Sequence, residues 1–267
     1  MKLTASNIAW KPEEDEAAAA ALREAGAQGV EIAPTAAWPR PLEATARQVG
    51  DYRRWWEDRG LKISSMQALM FGRPELKVFG DEATRKAAFD YLAGMIRLGG
   101  ALGAGALVFG SPKNRAVGEM ERPRAEEIAA AFFRGLGAVA VEQGTVLCIE
   151  PNPPAYGCDF VTTAAEGLAL VRRADSPGFR LHLDAGGMTL TGEPRSPEAF
   201  GQAAHFHASE PDLAPVGSGG TDHPAFARAL REAGYRGWIS IEMRATGERG
   251  NVEPLRRALA AVAAAYG

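Results

Sequence analysis

The sequence predicts an α/β fold, a single-domain (β/α)8 TIM barrel over residues 1–267. Three observations predict it. Short apolar stretches and amphipathic helical stretches alternate eight times along the chain. Four of the later apolar stretches end in a side chain able to hold a metal ion, and in such a barrel the strand ends share one rim. No Gly-x-Gly-x-x-Gly follows an early strand, which counts against the open doubly wound sheet. Gly99-Gly100-Ala101-Leu102-Gly103 follows a helix instead and reads as a helix-to-strand turn.

Taken in order, Leu3 to Trp10 is the first strand, and Pro12-Glu13-Glu14-Asp15-Glu16 opens a helix through Ala25, with acids favourable in its first turn. Gly29 to Ala33 is the second strand, closed by Pro34. The helix from Leu42 to Arg59 carries Val49, Tyr52, Trp55 and Trp56 at core-packing spacing. Leu61 to Leu69 is the third strand and Glu82 to Leu98 a long amphipathic helix. Gly105 to Gly110 is the fourth strand, followed by a helix from Arg124 to Glu142. Thr145 to Ile149 reads as a fully buried fifth strand that stops at Glu150, because Pro151 has no N–H for a ladder. A helix from Thr163 to Arg173 and the turn Asp175-Ser176-Pro177-Gly178 lead to the sixth strand, Arg180 to Asp184. Ser196, with Pro197, caps a short helix. His205-Phe206-His207 marks the seventh strand, Asp222 caps a helix through Ala233, Trp238 to Glu242 is the eighth strand, and Val252 to Tyr266 is the closing helix.

Composition narrows the function classes. The net charge is only −3, with Lys and Arg scattered, so there is no basic footprint for nucleic acid. Two cysteines, Cys148 and Cys158, make no disulfide framework. No stretch approaches the roughly 20 apolar residues needed to cross a bilayer, and Met1 to Asn7 lacks the apolar core of a signal peptide. A cytoplasmic protein with a small-molecule substrate, no nucleic-acid or membrane partner and an open question of homo-oligomers is the expectation.

Glu150, Asp184, His207 and Glu242 stand at the ends of strands five to eight, about one strand–helix unit apart. A carboxylate costs several kcal/mol, by rough estimate, to bury unpaired, so each needs a cation or a task. Three carboxylates and one imidazole form a hard, oxygen-rich set suited to one divalent ion, Mn2+ first, with Mg2+, Co2+ and Zn2+ as alternatives. His182 and His205 lie two residues before Asp184 and His207 and so face the interior one layer deeper, as supporting histidines. Asn152 and Arg244, just past strand ends, are candidate substrate or supporting contacts. Glu31, at the end of strand two, is either a substrate contact or a salt bridge, and His223, beside a helix cap, reads as a surface residue.

Several motifs together resemble the xylose isomerase-like barrel superfamily, in its branch of sugar-phosphate isomerases/epimerases and ketose 3-epimerases. They are Ile149-Glu150-Pro151-Asn152, Leu183-Asp184-Ala185-Gly186, His205-Phe206-His207, Gly217-Ser218-Gly219 with Asp222, and Gly234 to Glu242. The resemblance implies that Glu150, Asp184, His207 and Glu242 bind one divalent ion. It also implies that Glu150 and Glu242 move protons on opposite sides of a bound 2-ketose through an enediolate. Ketose 3-epimerases carry a glutamate, a histidine and an arginine where this chain has Tyr156, Gly187 and Leu213, which argues against a free-ketohexose 3-epimerase. The leading expectation is an isomerase or epimerase of a sugar, cyclitol or related keto-polyol. The alternative is a lyase of the same superfamily, an inosose-type dehydratase or a C-glycoside-cleaving enzyme. A non-catalytic binding barrel follows. The superfamily's endonuclease ranks last, since it needs more histidines than the four here.

Overall fold

Eight short strands form the centre of the computed structural model, which describes residues 1–267: β1 Lys2–Ala5, β2 Gly29–Ile32, β3 Lys62–Met66, β4 Ala106–Phe109, β5 Val146–Ile149, β6 Phe179–Asp184, β7 Ala203–Ser209 and β8 Trp238–Glu242. All ladders are parallel, in the order β1-β8-β7-β6-β5-β4-β3-β2. The two edges of that sheet meet: Ser6 bridges Glu31, and the Gln28 N–H donates to the Leu3 carbonyl at 2.9 Å. The sheet is therefore a single-domain (β/α)8 barrel, and the open-sheet alternative is excluded.

The helices are α1 Asp15–Glu24, α2 Pro34–Ala37, α3 Ala46–Glu57, α4 Glu82–Leu102, α5 Arg122–Glu142, α6 Ala164–Ala174, α7 Ala185–Thr191, α8 Pro197–Gln202, α9 His223–Glu232 and α10 Val252–Tyr266. Eight of them are the helices expected from the sequence, whereas α2 and α7 are short additions immediately after β2 and β6. Capping side chains start several. Asp81 accepts from the Thr84 N–H at 2.8 Å, Asp222 from Ala225 at 2.9 Å and Thr163 from Glu166 at 3.3 Å. Ser196 makes no such bond, contrary to expectation, and α8 begins instead on the pre-set φ of Pro197.

Strand faces divide by chemistry. Leu107, Leu147, Ile149, Leu181, Leu183 and Phe206 face the helices and pack with side chains such as Phe133, which stacks on Phe179 at 4.7 Å between ring centres. The alternate residues face the lumen, where Val108 and Cys148 are joined by a mostly polar set, Thr4, Glu31, His182, His205, His207 and Ser240 with Ser64 and Ser65 at the irregular β2–β3 register, all buried. As expected, Trp56 is core, edge-on to Trp55 at 4.7 Å.

Other boundaries differ from expectation for local reasons. β1 stops at Ala5, and Asn7–Ala9 turns as a 3-10 segment, with Asn7 Oδ1 accepting from the Ala33 N–H at 2.7 Å. β3 stops at Met66, before Ala68 takes a positive φ of 54°. Pro41–Glu43 is a separate 3-10 turn, so α3 begins only after its Thr45 cap. Gly99 and Gly100 lie inside α4, and only Gly103, with φ 79°, makes the turn. A Cβ on Gly99 would come within 2.8 Å of Leu107, so glycine here lets α4 sit close on β4.

A candidate metal centre at the strand ends

The four strand-end residues converge. Ligand-capable atoms of Glu150, Asp184, His207 and Glu242 all lie within 4.8 Å of one another. Strand register accounts for this: Asp184 pairs with His207 and Ser209 with Glu242 in adjacent ladders, and Glu150 is the first residue past β5. Asp184 also caps α7. Its Oδ1 accepts from the Gly187 N–H at 2.6 Å, while Ser209 Oγ donates to Oδ2, so both oxygens are aimed before any ligand arrives.

His207 shows how the centre is polarised. Its Nε2 lies 3.0 Å from Glu31 Oε1, which assigns the ring proton there. Its buried Nδ1 lies 3.1 Å from Glu242 Oε2 yet has no hydrogen-bond partner. A lone pair facing a carboxylate is stable only with a proton or cation between them. Three hard carboxylates and this imidazole nitrogen fit a divalent ion.

Without such an ion the electrostatics are strained. Burial, with Glu242 and Asp184 nearby, pushes the Glu150 carboxyl up to about 8, against the opposing pull of His207 and Arg115. Burial and Glu242 raise Asp184 to about 6, opposed by His207, Ser209 and Gly187. Burial disfavours the imidazolium of His207, but Glu31 and Glu242 outweigh it and hold that group well above the usual histidine range. Glu31 stays well below the carboxylate range because His207 and His205 overcome its burial.

Glu31 does not reach the rim. It is 0 % exposed and accepts from Ser65 at 2.6 Å, His205 Nε2 at 2.7 Å and Ser240 at 3.1 Å, which selects the salt-bridge alternative. His205 and His182 lie beneath the centre as expected. Burial keeps both below the usual histidine range, and His182 Nε2 stands 3.9 Å from Glu150 Oε1.

Above the carboxylates opens a cavity of about 390 Å3 whose wall includes Gln67, Asn152, Tyr156, Leu213 and Arg244. Tyr156, Leu213 and Arg244 form one side. The Tyr156 hydroxyl accepts from the Asp212 N–H at 2.8 Å, and the Leu213 carbonyl accepts from the Arg244 N–H at 2.9 Å. These bonds pin Asp212 and Leu213 in left-handed conformations, φ 59° and 56°. Gly187 is not on the wall; it serves through its N–H to Asp184. His223 is not a surface residue. It is buried between Tyr266 Oη at 3.0 Å and Glu210 Oε1 at 3.2 Å, and Glu210 in turn accepts from the Gly217 and Thr221 amides of the glycine loop. A larger groove of about 820 Å3 lies between α5 and α6, with Arg122 paired to Glu166 at 3.1 Å and none of the four strand-end residues on its lining.

Two residues escape the sequence. Arg115 is fully buried behind Glu150, and nothing in Lys113-Asn114-Arg115 distinguishes it from a surface cation. Gly110 faces Glu150 so closely that a Cβ would collide with the Glu150 carboxylate oxygen. That oxygen ends a flexible side chain, so Gly110→Ala is expected to leave the melting temperature nearly unchanged. Metal affinity should fall by about tenfold or more through the displaced carboxylate. Metal titration beside a thermal melt checks this, and parent-like affinity would refute it.

A barrel with a metal-capable cluster on the ends of strands five to eight defines a class of protein. The chain belongs to the xylose isomerase-like TIM barrel family, whose sequence profile matches residues 19–264. Over 236 residues it is 28% identical to an L-ribulose 3-epimerase of Methylomonas sp. (strain DH-1), covering 87% of this chain and 79% of that protein. Among solved structures it resembles 3-keto-D-glucoside 4-epimerase from E. coli, with TM-score 0.78, 18% identity and 98% of both chains covered. It also resembles D-psicose 3-epimerase solved in the presence of D-fructose, with TM-score 0.81, 17% identity and both chains covered in full. At such identities the likeness is one of fold. No helix is long and apolar enough to cross a membrane.

Proposed function

We propose that this protein is a divalent-metal-dependent isomerase or epimerase of a keto-polyol, a sugar or cyclitol derivative, acting through an enediolate. One observation carries the reading: Glu150, Asp184, His207 and Glu242 meet within 4.8 Å at the floor of a cavity large enough for a sugar. The curated relative being an epimerase supports it. Mn2+ is the first choice of ion, with Mg2+, Co2+ and Zn2+ as alternatives. When bound, the ion would polarise a substrate carbonyl and lower the barrier to removing the neighbouring proton.

The chain's own residues supply the rest. Asp184, fixed by Gly187 and Ser209, and His207, fixed by Glu31, hold their donor atoms still. Glu150 and Glu242 arrive from β5 and β8, three strand steps apart around the rim, and would serve as acid and base on opposite faces of a substrate carbon. The Glu150 titration is not that of an isolated carboxyl, because Glu150 stands in the field of Glu242 and Asp184.

Tyr156 and Leu213 on the wall, with Gly187 sending no side chain to it, leave fewer charged partners for hydroxyls than the ketose 3-epimerase pattern has, which favours a glycosylated or less polar keto compound. The Mn2+-loaded protein is therefore expected to turn over fructose, psicose and tagatose weakly or not at all, and a 3-keto-glucoside better. Mass-resolved product analysis tests this: an epimerase conserves mass, while the lyase alternative loses water or cleaves the glycoside. Efficient C3 epimerisation of a free ketohexose would refute the selectivity, and no conversion of any keto sugar by the loaded protein would refute the function.

A further inference from the structure

Arg115 has no exposed surface, and none of its hydrogen-bond contacts is to a carboxylate. Its Nη2 donates to the Glu150 carbonyl at 2.6 Å and to Asn152 Oδ1 at 2.9 Å, and reaches Cys158 Sγ at 3.4 Å and the Val161 carbonyl at 3.5 Å. A guanidinium can only donate, so Asn152 must turn its carbonyl oxygen toward Arg115 and its NH2 away. The orientation of an asparagine amide is ordinarily ambiguous, but here the buried cation fixes it.

The consequence falls on the cavity. Asn152 lines it beside Glu150, and its Nδ2 has no partner in the protein yet is not among the buried unpartnered atoms, so it opens onto the cavity. Asn152 Oδ1 and the Glu150 carbonyl both accept from the buried Arg115, so the amide offers the cavity a donor and no acceptor. A substrate hydroxyl placed here could accept from Nδ2, but the amide offers its own proton nothing, and that proton must go to a neighbouring carboxylate or to water. An ether or carbonyl oxygen has no proton to place.

We propose that Arg115 and Asn152 form a polarity-setting pair, in which Arg115 is a positioning residue and Asn152 Nδ2 a specificity-determining donor for an acceptor-only oxygen, such as the ring or glycosidic oxygen of a keto-glycoside. This rests on the function proposed above and narrows its substrate class. Discrimination comes from polarity, because the amide can present only donors to the cavity while the guanidinium stays behind it.

The test titrates methyl 3-keto-β-D-glucopyranoside into the Mn2+-loaded protein by calorimetry, with metal content and melting temperature measured alongside. Asn152→Asp keeps an acceptor for Arg115 but replaces the cavity donor with a second oxygen. It is expected to retain one Mn2+ per chain and a parent-like melt while losing about 10–100-fold in probe affinity. Asn152→Ala, the second arm if the aspartate variant fails to fold, should show the same loss. Arg115→Met, which frees the amide to invert, should weaken the probe less than Asn152→Asp. Probe binding within about threefold of the parent in metal-loaded Asn152→Asp or Asn152→Ala would overturn the pair. Joint loss of metal and probe in both Asn152 variants would also overturn it, since Asn152 would then serve only the metal-bearing strand end. A loaded parent that binds no probe overturns the keto-glycoside assignment of the pair, while the proposed function stands or falls separately on turnover of keto sugars.

Discussion

Glu242→Gln is expected to lower turnover of a true substrate by about 10²–10⁴-fold if only its acid–base role is lost, and by more if the ion goes too. The fold should tolerate the change. Glu242 ends β8 and is nearly buried, but it is one of three crowded carboxylates, and removing its charge relieves the field that raises Glu150 and Asp184. Both should then titrate closer to the ordinary carboxylate range, and His207, now facing an amide at Nδ1, should lose part of what holds it up. In D2O the parent should place deuterium at the enolised carbon. Unlabelled product formed at full rate would point away from an enediolate, and a parent-like rate for Glu242→Gln would remove that residue from the proton path.

Metal affinity is expected to climb steeply between about pH 6 and 8, by up to about tenfold per pH unit for each proton displaced. The sign follows from the raised groups. Glu150, near 8, Asp184, near 6, and His207, well above its usual range, all hold protons at low pH and bind metal only without them. Calorimetry at pH 7 in buffers of differing ionisation enthalpy should register about two protons released per ion bound. Glu150→Gln and Asp184→Asn should each lose most of the metal; full occupancy in both would refute the ligand assignment. The same shifts bear on the metal-free fold. Glu150 and Asp184 titrate higher folded than unfolded, so their share of stability is present in acid and is lost as pH rises through about 6 to 8. Glu31 has the opposite sign: its share is present above the usual carboxylate range and is lost as pH falls below it.

Much of this centre was legible because strands write their faces in alternation. Leu181 and Leu183 against His182 and Asp184 state which residues meet the helices and which meet the lumen, and the proline after Glu150 marks the rim. What stayed hidden depends on partners distant in sequence. Arg115 reads as a surface cation until the Glu150 and Val161 carbonyls close around it. Gly187, which looks like a missing side chain, is an N–H in the first turn of α7, a helix with only Ala-Gly-Gly to announce it. His223 sits where a helix start is normally wet, but Glu210 and Tyr266 from two other elements bury it. Gly99 and Gly100 suggested a turn because glycine is costly in a helix. Close approach to the strand layer was the competing demand.

The way the ring closes also bears on how it can assemble. β1 ladders over its whole length with β8, Lys2–Ala5 against Trp238–Ile241, but meets its chain neighbour β2 without a ladder, through the Ser6–Glu31 bridge and the Gln28 N–H to the Leu3 carbonyl. The first of the eight strands in chain order thus waits for the eighth before it gains a full partner, while β2 through β8 can zip in succession. Loop closure over that span carries an entropic cost that pairing of successive strands does not. Until it occurs β1 offers an unpaired edge, open to pairing with another nascent chain. Glu31 completes its contacts with His205, His207 and Ser240 only when β7 and β8 are in place, so the lumen's polar network locks at the same moment as the ring.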